Sequence, residues 1–261
     1  MSDIVEASQV RVRSATGEAV GAGFLVRTDV VCTCAHVVAR ALGVSATAEQ
    51  APSQPVDLDF PLLDGRPRVR TTVVSWRFGG ADVALLRLDT AVEGGRPVPF
   101  VERTDTPRND FRAFGYPAGA DHGVWVWGTL GAGQALGWVQ METQGPGPRS
   151  LEEFSGAPVW DSRLYGVVGM MVAANLGEST AHLLPSDALV NEPILQPRCP
   201  FQGLSAFTEE DAEFFYGRDN NTTRLHTAVR TQPVTVVVGP AGCGKSSLVR
   251  AGVLPRLRAE G

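Results

Sequence analysis

Residues 151–160 are LEEFSGAPVW: Ser155 stands between an aromatic residue and a glycine, and Ala-Pro-Val and a tryptophan follow. Ser-Gly in a loop is ordinary turn chemistry, so the run acquires meaning only from what surrounds it. From residue 9 to about 185 the chain repeats one texture, short apolar runs separated by Gly, Pro and Asp: VRVRS, GAGFLVRTDVVCTCAHVV, PRVRTTVVSW, ADVALLRLD, FRAFGYP, VWVWGTL, WVQMET, APVWDS, LYGVVGMMVAA and AHLLP. Many of these residues are β-branched or aromatic and several runs alternate, the pattern of an antiparallel barrel or sandwich. This part of the chain is therefore expected to be all-β. SDALVNEPILQP, from residue 186, is expected to form one closing helix with Ser186 as N-cap, broken by Pro193 and Pro197.

At residue 199 the texture changes. CPFQGLSAFTEEDAEFFYGRDNNTTRLHTAVR places apolar residues at helical intervals, and PVTVVVGPAGCGKSSLVRAGVLPRLRAEG follows as a strand, a glycine loop and the start of a helix. A linker is expected at about 191–199, dividing a domain over 1–194 from the opening of an α/β unit over 199–261. One strand and two helices cannot complete a doubly wound sheet, so this second unit is expected to be truncated.

The 261 residues, 43% hydrophobic and 20% charged, can bury a substantial core. A net charge of −5 and the lack of a basic cluster argue against nucleic-acid or membrane partners. The start, MSDIVEASQV, carries neither a positive n-region nor an apolar h-region, and the chain is expected to be cytoplasmic. Four cysteines, Cys32, Cys34, Cys199 and Cys243, are too scattered for a disulfide framework. Cys32 and Cys34 lie two apart in an extended segment and share a face; with no second ligand pair in view, core packing is favoured over metal binding.

His36 ends one β-run, Asp82 heads another, and Ser155 follows. Taken singly they have ordinary readings as a core histidine, a strand-start turn residue and a loop hydroxyl. Together they form a chemical set, because a serine hydroxyl is a weak nucleophile until an imidazole removes its proton. The imidazole in turn needs a carboxylate to fix its tautomer and stabilise its charged form.

The blocks GAGFLV…CAHVV, ADVALLRL, FGYP, FSGAPVWD and LYGVVGMMVAA…HLLPSD resemble, in order, those of bacterial trypsin-like serine peptidases, over about residues 9–190. The resemblance implies a trypsin-like double β-barrel with the site in the cleft between barrels. It assigns His36 as general base, Asp82 as its orienter and Ser155 as nucleophile, with no cofactor needed for proteolysis. The backbone N–H groups of Glu153 and Ser155 would form the oxyanion hole. Glu153 departs from the family, which places glycine there: its Cβ restricts the loop and its carboxylate opposes developing negative charge. Two accounts follow, a loop inactive until a partner rearranges it, or a degenerate protease kept for binding. The same resemblance places the first substrate pocket near Arg149 and near Met170 to Ala173. Methionines suit a neutral side chain and an inward Arg149 an acidic one; Met170 and Met171 as core and Arg149 as a solvated loop residue is at least as good a reading, and specificity stays open.

GPAGCGKS, residues 239–246, fits the phosphate-loop pattern between VTVVV and SLVRAGVL. Gly239, Gly242, Cys243, Gly244, Lys245, Ser246 and Ser247 are the expected nucleotide-binding residues: backbone N–H groups cradle phosphate, Lys245 neutralises the β/γ oxygens and the Ser246 hydroxyl holds Mg²⁺. Lys245 is the single lysine among 23 basic residues, as a flexible ammonium at that loop requires. The preceding CPFQGLSAFTEEDAEFFYGRDNNTTRL resembles the leader of bacterial STAND NTPases, which fuse effectors such as trypsin-like peptidases to a nucleotide switch and a sensor region. From that family's aromatic-Gly-Arg-x-x-Glu motif only Arg218 carries over as a nucleotide contact, since Asn221 replaces the acid.

The resemblances imply a cytosolic serine endopeptidase effector of a nucleotide switch, acting on a protein target in bacterial defence. The alternative is a pseudoprotease that serves as a docking module. ATP and Mg²⁺ are the expected cofactors of the complete NTPase module, and oligomerisation is expected through its NTPase and sensor regions. Residues 199–261 alone, without a Walker B acid, are expected neither to bind ATP tightly nor to hydrolyse it.

Overall fold

The alternating runs close into two barrels. A computed structural model describes residues 4–45, 47, 50–78, 81–101, 109–117, 120–133, 137–144, 154–172, 180–195, 203 and 205–259. The chain divides into two compact units, Met1–Gln196 and Pro197–Gly261. In the first unit a short helix α1 (Ile4–Ser8) leads into β1 (Gln9–Arg13), β2 (Ala19–Arg27), β3 (Val30–Thr33), β4 (Val56–Asp59), β5 (Arg68–Arg77) and β6 (Val83–Leu88). These pair antiparallel around a closed barrel in the order β1-β2-β3-β6-β5-β4. A second barrel closes as β10-β11-β12-β9-β8-β7, from β7 (Asp110–Gly115), β8 (Val124–Gly133), β9 (Val139–Thr143), β10 (Pro158–Asp161), β11 (Gly166–Val172) and β12 (Thr180–Pro185). Closure leaves no strand edge unpaired, which is how short, half-apolar strands satisfy their backbone without a large sheet.

Each barrel has its own core, and β11 serves both. All seven of its residues are buried. Met170 joins the cluster around Phe24, Leu85 and Phe60, whereas Met171 joins the cluster around Phe111, Phe154 and Leu130. Successive side chains of a strand point to opposite faces, so a strand between two cores must be apolar on both.

The all-β expectation holds with two helical exceptions, α1 and α2 (Ala35–Leu42). The run VVCTCAHVV is a strand only as far as Thr33, and from Ala35 it is helical, burying Ala35, Val37, Val38, Ala39 and Ala41 before stopping at Gly43 in the left-handed conformation (φ 65°). A short apolar run cannot distinguish a buried strand from a buried helix. The closing helix α3 is short, Ser186–Val190, and its N-cap is Pro185. The Ser186 hydroxyl does not cap: it donates to the Val101 carbonyl at 2.9 Å. Past this helix the chain returns onto the first barrel, where Glu192 accepts from Ser75 at 2.6 Å and pairs with Arg77 at 2.5 Å.

In the second unit the described elements are helical: a 3₁₀ turn (Glu209–Phe214), α4 (Asp219–Thr231), and α5 (Lys245–Ser247), which runs through a π-helical stretch (Leu248–Val253) into α6 (Leu254–Ala259). Thr208 and Asp211 form a reciprocal capping box at the 3₁₀ turn. The strand expected at 234–238 is absent among the described residues; Val234, Val236 and Val238 are 75%, 75% and 87% exposed. A lone extended run has no partner for its N–H and C=O groups and is not a strand. Among the described residues no helix is long and apolar enough to cross a membrane.

A buried ion pair in the first barrel holds an arginine that reaches the second. Arg11 of β1 donates to both Asp59 oxygens, at 2.9 and 2.7 Å, and to the Asp121 carbonyl at 2.5 Å, with its guanidinium 5.4 Å from the Tyr116 ring centroid. Arg13 adds a 2.7 Å bond to Asp59. Burial pushes the Asp59 carboxyl up, but the hydrogen bonds from Arg11 and Arg13 outweigh it and hold the carboxyl below its ordinary value. A depressed folded-state pKa contributes stability above the unfolded-state value and loses it as pH falls through the folded one. Asp59→Asn leaves Arg11 buried without a counter-charge and is expected to destabilise the barrels by about 3 kcal/mol at neutral pH. In denaturant titrations the gap to the unsubstituted protein should narrow below about pH 4; a gap independent of pH would refute the pairing.

Candidate active site

The three predicted residues are delivered by three different elements. His36 is the second residue of α2, Asp82 immediately precedes β6, and Ser155 lies in the turn that enters β10. Helix α2 begins at Cys34 without a side-chain cap, so its first N–H groups need acceptors from elsewhere. Asp82 supplies them: its carbonyl accepts from the Ala35 N–H at 3.4 Å and its Oδ1 from the His36 N–H at 3.0 Å. Its other oxygen lies 2.5 Å from His36 Nδ1. One aspartate thus caps the helix and fixes the ring of the histidine the helix carries. It does so from a left-handed backbone conformation, φ 46°, which Asp tolerates better than most non-glycine residues.

This geometry directs the His36 Nδ1–H toward Asp82, leaving Nε2 as the ring's free base. Nε2 and the Ser155 hydroxyl are both buried and, among the described residues, neither has a hydrogen-bond partner. Ser155 is wholly buried, whereas the His36 and Asp82 side chains are 20% and 14% exposed. The pair His36–Asp82 is therefore assembled, and the bond from Ser155 to His36 is not made in this conformation.

The serine turn is held from both barrels. The Ser155 carbonyl accepts from the Ala22 N–H of β2 at 2.9 Å, the Gly156 N–H donates to the Met171 carbonyl of β11 at 2.9 Å, and the Met171 N–H donates to the Ala157 carbonyl at 2.8 Å. Gly156 has φ +88°, and a Cβ there would lie 2.0 Å from the Ala22 carbonyl oxygen and 2.6 Å from Thr33 Oγ1. Gly21, one residue before Ala22, lies against both other parts: its Cβ would meet Val37 at 2.7 Å and the Ser155 carbonyl at 3.1 Å. Phe154 anchors the turn in the second core, and the FGYP block has glycine at 115 because a Cβ there would be 2.4 Å from the Phe154 ring.

Sequence reasoning missed Ala22 and Thr33 and gave Met171 only as core or pocket wall: Ala22 and Met171 act here through backbone N–H and C=O groups, and Thr33 through its hydroxyl, which donates to the Ala22 carbonyl at 2.7 Å. Glu153, Arg149 and Ala173 lie outside the described residues. Met170 and Met171 are fully buried in the two cores, which supports the packing reading of these residues over the pocket wall.

In the glycine loop of the second unit Gly242 has φ 77° and Gly244 φ 81°. Gly239 faces Cys243, whose sulfur a Cβ would meet at 2.9 Å. Lys245 Nζ donates into the loop, to the Gly239 and Pro240 carbonyls at 2.8 and 2.7 Å. Ser246 is exposed, Ser247 is buried with its hydroxyl accepting from the Phe207 N–H at 3.1 Å, and Arg218 is exposed at the start of α4. The Ser247 hydroxyl thus also ties the segment before α4 to the helix after the loop. The glycines, the lysine and Ser246 fit a nucleotide phosphate and Mg²⁺ by donor type.

A family model described as a trypsin-like peptidase domain matches residues 21–170, and one described as Novel STAND NTPase 1 matches residues 200–261. Among solved structures, the inactive form of the Ser-to-Ala mutant of Rv3671c from M. tuberculosis is similar at 21% identity, over 72% of this chain and 85% of its own, with a TM-score of 0.53. The apo MamO protease domain from Magnetospirillum magneticum is similar at 19% identity over 73% and 97%, and a serine endoprotease from Yersinia pestis at 16% over 72% and 63%, each with a TM-score of 0.53. These likenesses establish the two-barrel fold.

Because both barrels press on Gly156, Gly156→Ala is expected to displace the serine turn and to lower its reaction rate with a fluorophosphonate by at least about a hundredfold. A variant that labels at the unsubstituted rate would show that the turn tolerates a Cβ.

Proposed function

The chain belongs to the trypsin-like peptidase domain family, and on that premise we propose that it is a serine endopeptidase acting through His36, Asp82 and Ser155. The observation that carries this reading is the His36–Asp82 pair at 2.5 Å, which leaves Nε2 as the one ring nitrogen able to accept a proton. Ser155 Oγ attacks the scissile carbonyl carbon as its proton passes to His36 Nε2. Asp82 holds Nδ1–H and stabilises the imidazolium. The carbonyl π pair moves to oxygen, where the N–H groups of Glu153 and Ser155 receive the charge. Collapse of the intermediate breaks the C–N bond, the amine leaves with the proton from His36, and water repeats the sequence on the acyl-enzyme. Ser155 is buried and unbonded at rest, so activation includes uncovering the hydroxyl and bringing it to Nε2. This favours an effector that is latent until switched over one that is constitutively active.

The switch in this reading is the second unit. Its resemblance to STAND NTPases supports a cytoplasmic effector in bacterial defence signalling, with a protein substrate and with assembly governed by nucleotide. ATP with Mg²⁺ would be held here by Lys245, which would give up its bonds to the Gly239 and Pro240 carbonyls for phosphate oxygens, and by Ser246, whose exposed hydroxyl would face the metal; bound nucleotide would contribute the binding free energy for that change.

A fluorophosphonate probe is expected to modify Ser155 under activating conditions. His36→Ala and Ser155→Ala should each reduce peptide hydrolysis to a common floor, and the double variant should lose little more, because the groups act as one unit. Independent, multiplicative losses would refute the assignment, and no labelling of the full-length protein under any condition would favour the docking-module reading. Lys245→Ala is expected to weaken Mg-ATP binding by the full-length protein roughly tenfold to a hundredfold in calorimetric titration, and to remove the nucleotide-dependent rise in Ser155 labelling. Unchanged affinity would exclude the loop as the nucleotide site.

A further inference from the structure

Cys34 lies two residues before His36 and is completely buried. Its sulfur, a His36 ring nitrogen and an Asp82 carboxylate oxygen lie within 4.8 Å of one another. The thiol is 3.6 Å from the Met171 carbonyl, the same oxygen that accepts the Gly156 N–H at 2.9 Å. One carbonyl of the second barrel therefore receives a thiol from the His36–Asp82 side and an amide from the residue after Ser155.

We propose that Cys34 is a positioning residue: its thiol, lodged between the Asp82 carboxylate and the Met171 carbonyl, sets the register of the His36–Asp82 pair against the Ser155 turn. An S–H is a weak donor with a soft, polarisable sulfur. It can lend its hydrogen to either acceptor while keeping water from the back of the carboxylate, where a hydroxyl-sized group would sit less tightly. Burial pushes the thiol well above its ordinary pKa, and the neighbouring Asp82 carboxylate and Cys32 thiol push it the same way, against the Gly156 N–H. The group therefore stays protonated while the site works, and a protonated thiol is not a metal ligand. Cys34, His36 and Asp82 resemble a metal-binding trio in type, but the proton on sulfur and the Nδ1–H shared with Asp82 fill the positions that a metal would need.

The expected consequence runs through Asp82. Removing the S–H dipole concentrates the carboxylate charge on the oxygen facing His36, strengthens the pair with the imidazolium and raises the histidine's pKa. The titratable groups acting on Cys34 are the Asp82 carboxylate and the Cys32 thiol, and Glu192 and Arg77 in turn act on Cys32. This inference rests on the protease reading for its kinetic consequence but not for its spectroscopic one.

The test compares Cys34→Ala and Cys34→Ser in the full-length protein. In Cys34→Ala, NMR titration of the His36 imidazole should show its pKa raised by about half a unit, and kcat should fall about tenfold with KM within about twofold. Cys34→Ser restores a donor and should keep the His36 titration within about 0.2 units of the unsubstituted protein and recover most of kcat. If alanine and serine shift His36 equally, or neither shifts it, the thiol only fills space and the proposal is overturned. Should the protein neither turn over peptide nor label at Ser155, the protease reading fails, and the His36 titrations in the two variants still decide the role of Cys34.

Discussion

There is no room for a side chain at residue 156. The turn carrying Ser155 passes between the Ala22 carbonyl of one barrel and the Met171 carbonyl of the other, so close that a single Cβ would overlap the first at 2.0 Å. Much else in the first unit serves that approach. β2 has Gly21 where it meets Val37 and the Ser155 carbonyl, β7 ends in Gly115 where the Phe154 ring lies, and β11 is apolar on both faces because each face belongs to a different core. Two barrels that packed less closely would still be stable barrels, but they would not bring a helix start, a strand start and a turn from distant parts of the sequence to one place.

Electrostatics then distinguishes two carboxylates of the first unit, Asp59 and Asp82. Asp59 is saturated by Arg11 and Arg13 and is held as an anion; it fixes, within the first barrel, the arginine that reaches the Asp121 carbonyl of the second, and has no capacity left. Asp82 spends its oxygens on a helix N-terminus and an imidazole and carries no cationic partner of its own among the bonds that hold it. A carboxylate fixed in this way can stabilise a positive charge that appears only when His36 takes a proton. The buried, unbonded hydroxyl of Ser155 is the complementary feature, since an unpaired buried polar group is costly and persists where a second arrangement satisfies it.

The second unit shows the same economy on a smaller scale. Lys245 turns its ammonium onto the loop's own carbonyls, and the capping box at Thr208 and Asp211 and the Ser247 bond to the Phe207 amide tie the preceding segment to the helix that follows the loop. The valines before the loop remain exposed because nothing in these residues pairs with them.

The sequence by itself determined the period of the strands, the order of His36, Asp82 and Ser155, and the eight residues of the phosphate loop, because these are written in side-chain chemistry at short range. It also contained the glycines at 115 and 156, though not their reason. What only the tertiary structure decided were contacts made by backbone atoms between distant segments: the Ala22 amide on the Ser155 carbonyl, the Met171 carbonyl shared by Gly156 and Cys34, and the double use of Asp82 as cap and partner. The helix from Ala35 escaped the pattern because eight apolar-rich residues bury equally well as strand or helix, and only the barrel behind them, with an acid waiting for their free N–H groups, selects the helix. Every residue but proline has the same N–H and C=O, so a site assembled by them is invisible until folding brings them within reach.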